Sequence, residues 1–195
     1  MNKALVACLA FGVTLLAACQ EKPKEAEVAE FVEEEMREVE AWSVKLVQRH
    51  HGPRDSDAIL LDVSVLDKAG TRRLLAKDIV GPILLFEKER KVISCESQGS
   101  TMVGRGLILF DLNGRKENGP EHPGYLRECK QIEASNLVLL HYNLVREGKP
   151  YNLVRILDTD GKVVLEKELY RVGEVKVRRA EKMYRVQVPE PDWPG

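Results

Sequence analysis

The sequence predicts a mainly β chain: an antiparallel meander or sandwich preceded by one amphipathic helix. Three observations carry this. Residues 57–188 are a succession of short, β-branched, alternating runs broken by turn residues. Three of those breaks share one form, Asp67-Lys68-Ala69-Gly70, Asp111-Leu112-Asn113-Gly114 and Asp158-Thr159-Asp160-Gly161, with Asp and Gly where tight hairpin turns want them. Residues 25–51 instead repeat their apolar side chains at the helical period.

In that first segment Val28, Phe31, Val32, Met36, Val39, Trp42, Leu46 and Val47 fall within one wide stripe at 100° per residue. Glutamates crowd its start, and Lys45, Arg49, His50 and His51 its end, in the order a helix dipole favours. Gly52-Pro53 supplies the stop. One local pattern dissents: Trp42-Ser43-Val44-Lys45-Leu46 alternates and would also suit a strand.

Strands are expected at 58–66, 72–79, 82–86, 91–96, 106–111, 137–145, 151–157, 162–169, 174–178 and 183–188. The Asp-x-x-Gly turns recur at intervals of 44 and 47 residues. A period in the forties resembles the blade period of WD40-like propellers, and Leu107-Ile108-Leu109-Phe110 before its turn resembles a blade hairpin. Complete propellers need four or more blades, and there is room here for about three. The repeat therefore predicts duplicated hairpins in a meander, a sandwich or a partial propeller-like sheet.

Residues 113–125 interrupt the expected sheet with three glycines, two prolines and no apolar period. Loops of that length are often functional, so Asn113, Arg115, Lys116, Glu121, His122 and Tyr125 are the candidate binding residues. Cys95 and Cys129 flank the segment. Residues 189–195 are a Pro-rich tail that cannot continue a sheet, because proline removes ladder donors.

The N-terminus places all of this in a compartment. Met1-Asn2-Lys3 is a short basic start, and residues 4–16 are an uncharged apolar run ending in Leu16-Ala17-Ala18-Cys19. The run is too short to span a bilayer permanently, which takes roughly 20 residues, and it fits a secretory signal. The tetrad resembles the lipobox of bacterial lipoproteins. That resemblance implies cleavage after residue 18, a diacylglycerol thioether on Cys19, and further acylation, such as palmitate, on its freed amine. Gln20 rather than Asp follows, which implies the outer membrane of a Gram-negative envelope, with the chain facing the periplasm. Residues 19–24 are then a lipidated tether. With Cys8 removed and Cys19 lipidated, Cys95 and Cys129 remain to form one disulfide in an oxidising compartment, the alternative being two buried thiols.

Residues 21–40 carry nine acidic and three basic side chains, and residues 41–195 are mildly basic. That balance, without interleaved aromatics, gives no case for nucleic acid. On a helix the adjacent His50 and His51 point about 100° apart and cannot share a face. His141 lies in an apolar strand. His122, in Pro120-Glu121-His122-Pro123, is expected to be the most accessible histidine, but one His and one Glu do not make a zinc site. Asp158-Thr159-Asp160-Gly161 opens like a calcium loop and fails at Lys162. No nucleophile elbow, P-loop or dinucleotide fingerprint occurs. No cofactor or metal is expected. Residues 171–185 are basic, with Lys176 and Arg178 on one strand face; they either protect a sheet edge or attract acidic partners.

The leading expectation is a lipid-anchored, non-enzymatic protein-binding or assembly module, with an immunity or inhibitor lipoprotein as a variant. The competing ones are a periplasmic hydrolase or metal-dependent enzyme using the 113–125 loop, and a small-ligand carrier.

Overall fold

The computed structural model describes residues 30–53, 60–95, 106–133 and 135–192. The expected signal peptide, the expected lipidation site Cys19 and the expected tether lie outside the described residues, as does the end of the Pro-rich tail. The described chain is mainly β, with fourteen strands and no α-helix. Three four-stranded antiparallel meanders follow one another. The first contains β1 (Glu30–Val39), β2 (Val44–Pro53), β3 (Leu60–Leu66) and β4 (Arg72–Ile79). The second contains β5 (Ile83–Phe86), β6 (Lys91–Ser94), β7 (Gly106–Asp111) and β8 (Lys116–Glu121). The third contains β9 (Tyr125–Gln131), β10 (Leu137–Arg146), β11 (Lys149–Asp158) and β12 (Val163–Leu169). A hairpin of β13 (Gly173–Arg179) and β14 (Lys182–Val188) completes the series.

The sheets stack face to face, because the middle strands of the second and third are apolar on both sides. Leu46, Val63 and Ile79 of the first sheet pack on Val92, Ile108 and Phe110 of the second. The alternate residues of the second sheet, Ile93, Leu107 and Leu109, pack on Val138, Leu140 and Tyr142 of the third. Leu137, Leu139, Val154 and Ile156 then meet Val175, Val177 and Val186 of the hairpin. A period-2 alternation of apolar side chains thus feeds two cores from each inner strand of the second and third sheets. The stack resembles successive propeller blades.

The three Asp-x-x-Gly turns occupy the same place in every sheet, joining its third strand to its fourth. Their geometry repeats too. Oδ1 of Asp67, Asp111 and Asp158 accepts the backbone N–H groups two and four residues on, at 2.8–3.1 Å. Gly70, Gly114 and Gly161 donate their N–H groups back to the Asp carbonyl at 3.0–3.1 Å. Each of these glycines has a φ near +80° (83°, 80° and 77°), which a side chain would strain.

Three expectations need correction. The helix expected over 25–51 is, where described, a hairpin: β1 and β2 pair in unbroken register from Glu30↔Pro53 to Val39↔Val44. A single 3-10 turn at Glu40–Trp42 joins them, closed by Ser43 at φ 55°. The alternation through Trp42 and Leu46 prevails, because both residues are buried against the second sheet. Val32 and Met36, which a helix would have buried, are 48% and 62% exposed.

The segment 113–125 is not a structureless loop, since β8 occupies most of it and β9 begins at Tyr125. β8 is an edge strand paired to β7 alone, so Pro120 leaves no ladder donor missing on its open side. Close approach of the two strands depends on glycine. A Cβ on Gly106 would stand 2.4 Å from the Pro120 carbonyl oxygen, and one on Gly119 would stand 2.8 Å from Leu107 Cβ. His122, expected to be accessible, is buried at 4% exposure.

Candidate functional site

In an antiparallel meander the first and third turns fall at the same end. At that end the first turns of the second and third sheets and the β13–β14 turn, with Arg37 of the first sheet, surround a cleft of about 520 Å³. Arg37 enters from β1, Glu87 and Lys88 from the β5–β6 turn, Gln131 from the end of β9, and Arg179 and Tyr184 from the hairpin. Every unit of the fold contributes to one concavity.

Local structure holds its walls. Trp42 is buried beneath the rim and donates its indole N–H to the Glu87 carbonyl oxygen at 2.6 Å. Arg37 Nη2 meets Glu87 Oε1 at 3.3 Å, an exposed pair that orients more than it stabilises. Gln131 donates from Nε2 to the Ser135 carbonyl at 2.5 Å, bracing the β9–β10 turn. Arg90, Glu133 and Ala180, one in each of three turns, have φ values of 57°, 41° and 51°, which compact reversals require. The lining carries both charge signs, side-chain amides and the edge of a tyrosine. It offers oriented polar contacts over a broad area.

The disulfide joins Cys95, just after β6, to Cys129 in β9, with Cα atoms 6.1 Å apart. It ties the second sheet to the third inside the core they share.

The six sequence-predicted binding residues do not form one site. Asn113 and Arg115 lie in the turn after β7, and Lys116 opens β8. Glu121 closes β8, with His122 and Tyr125 beyond it, roughly 17 Å away for a strand of that length. Arg115 pairs with Glu117 at 2.9 Å on the surface. Tyr125 is 48% exposed. His122 Nδ1 and the Tyr142 hydroxyl share a 2.8 Å hydrogen bond, and Arg155 Nη1 donates to the Glu121 carbonyl oxygen at 3.1 Å. Burial raises the Tyr142 hydroxyl well above its ordinary pKa, so it stays protonated there.

Two further clusters were not legible in the sequence. At the other end of the third sheet, Arg146 makes a two-pronged contact with Glu168 at 2.8 and 2.7 Å, and its guanidinium lies 4.9 Å from the Tyr151 ring centre. Tyr151 stacks on Tyr170, with centres 5.3 Å apart. On the outer face of the first sheet, His51, Asp62 and Asp78 converge. Strand pairing builds both groups from residues far apart in sequence. His141, for its part, is a satisfied core residue: Nε2 lies 2.8 Å from Asn152 Oδ1, and Asn152 Nδ2 donates to the Pro189 carbonyl at 2.7 Å. Burial lowers the His141 pKa.

No protein-family model, no curated protein and no solved structure matches this chain.

Proposed function

We propose that this protein is a lipid-anchored, non-enzymatic binding or assembly module of the bacterial envelope, held to the outer membrane through Cys19 and facing the periplasm. One observation carries the binding role: the cleft of about 520 Å³ walled by the second and third sheets and the hairpin and bordered by Arg37 of the first sheet. Such a cleft exists only when the whole fold is assembled, which couples binding competence to folding. Its mixed charges and amides suit an extended, polar segment of a protein partner, with Arg37, Lys88 and Arg179 meeting carboxylates and backbone carbonyls. An immunity or inhibitor protein is one form of the same reading. The lipobox supports the anchor. Several buried acyl chains, at roughly 0.8 kcal/mol per methylene, hold a protein to a bilayer without a spanning helix.

The experiment is a crosslinking capture from intact cells, comparing wild type with the Arg37→Glu/Lys88→Glu double variant. Both positions are exposed, so reversal leaves the core intact. One protein recovered near stoichiometry with wild type and lost with the variant is the expected result. Equal recovery by both, or no specific partner with wild type, overturns the reading. Cys19→Ser is expected to release the chain from the membrane fraction.

A further inference from the structure

The outer face of the first sheet gathers one imidazole nitrogen and two carboxylate oxygens. His51 Nε2 lies 3.2 Å from Asp62 Oδ1 and 3.4 Å from Asp78 Oδ1. All three donor atoms fall within 4.8 Å of one another. The geometry points to a binding site for a zinc-class divalent transition metal, held by His51, Asp62 and Asp78, outside the cleft proposed above.

The backbone builds this triad deliberately. Arg49 of β2 is paired with Asp62 of β3, so His51, two residues on, shares the face of Asp62. On β4 the register slips between Leu61↔Ile79 and Val63↔Ala76, which places both Lys77 and Asp78 opposite Asp62. This is a β-bulge, a device that re-aims side chains. Asp78 sits in it at φ 53° and donates its N–H to Asp62 Oδ1 at 3.0 Å. Asp62 is therefore gripped from two sides and is 9% exposed.

The spacing suits the ion. Donors bound to a tetrahedral ion at about 2.0–2.2 Å stand roughly 3.3–3.5 Å apart, close to the two separations measured here. Two carboxylates and a neutral imidazole cancel a 2+ charge. The set is too small and too nitrogenous for calcium, which takes six to eight oxygens, and magnesium prefers carboxylates and water. Three protein ligands leave a fourth position for water or a ligand, the arrangement of an open site. Asp62 also borders a cavity of about 400 Å³ together with Glu34, Arg49, Ser64, Arg72 and Leu74, while the Asp78 side chain, 49% exposed, leaves the open position in reach of solvent.

The test is isothermal titration of the purified full chain in detergent, stripped with a chelator, against Zn²⁺ and separately Ca²⁺. One Zn²⁺ per chain and no saturable Ca²⁺ uptake are expected. Co²⁺ should give the visible bands of four-coordinate cobalt. Asp78→Asn, at a side chain 49% exposed, should weaken Zn²⁺ binding tenfold or more while leaving the circular dichroism and thermal midpoint of the metal-free protein unchanged. His51→Ala should abolish the cobalt bands. Absence of stoichiometric Zn²⁺ uptake, or uptake indifferent to Asp78→Asn, would overturn the site and leave the triad as an ion-pair cluster.

Discussion

The indole N–H of Trp42 reaches the carbonyl oxygen of Glu87 at 2.6 Å, hooking the first sheet onto the second at the rim of the cleft. The tryptophan is 6% exposed and belongs to the core between these sheets. Trp42→Phe should therefore keep most of the packing and lose the hydrogen bond, costing about 1–2 kcal/mol in urea denaturation. Trp42→Ala should cost about 3–5 kcal/mol. If Trp42→Phe were neutral, the hook would not contribute to sheet docking.

The repeated turns should differ in worth according to burial. Asp158 is 9% exposed and supplies two hydrogen bonds to the backbone, so Asp158→Ala should destabilise by about 1–3 kcal/mol. Asp67 makes the same pair of bonds in the open, where water replaces them, and Asp67→Ala should cost less than about 1 kcal/mol. Chemical denaturation of the two variants side by side checks the order.

Stability should fall on mild acidification because of His141. Its folded pKa is held below the ordinary 6.5 by burial, so the folded state resists the proton that the unfolded state accepts. The contribution is complete above about pH 6.5 and is lost as pH falls from there towards the lower folded value. His141→Gln, which cannot be charged, should show a smaller loss of denaturation midpoint between pH 8 and pH 5. An identical pH dependence in both proteins would assign the acid sensitivity elsewhere.

The disulfide closes a loop with a sequence separation of 34. Removing it by Cys95→Ala/Cys129→Ala should cost about 3–4 kcal/mol on the chain-entropy account. Alkylation with and without reductant should reveal two additional thiols by intact mass.

How much of this was legible in the sequence depended on where each strand sits in its sheet. The middle strands β6, β7, β10 and β11 bury both faces, so their apolar runs are visible without the structure. The expected limits of β4 and β7 are the observed ones. Of the strands that went unread, β1, β8 and β9 are sheet edges, while the inner strand β2 was hidden within the expected helix and betrayed only by the alternation around Trp42–Leu46. An edge strand pairs on one side and keeps its polar side chains in water, so its composition mimics a loop or a solvated helix face. β1 is the sharpest case: glutamates that suggest a helix N-terminus instead line an exposed edge.

The turn repeat was visible because each Asp and Gly acts locally. The cleft and the His51 triad were not, since both depend on which strands become neighbours. The bulge that turns Asp78 towards Asp62 leaves no mark in sequence spacing. The expected importance of 113–125 also changes meaning: replacing it would remove an edge strand and unseat buried His122, so charge reversal at the cleft is the cleaner perturbation.

The central claim, that the cleft is the binding surface, is tested most directly by affinity for the captured partner once purified. Titrated against wild type and the Arg37→Glu/Lys88→Glu variant, that partner should bind wild type saturably and the variant at least tenfold more weakly, with both proteins melting at the same temperature. Equal affinity for the two would contradict the assignment and move the interface elsewhere on the molecule, with the exposed Tyr170 and Arg146 cluster next in line.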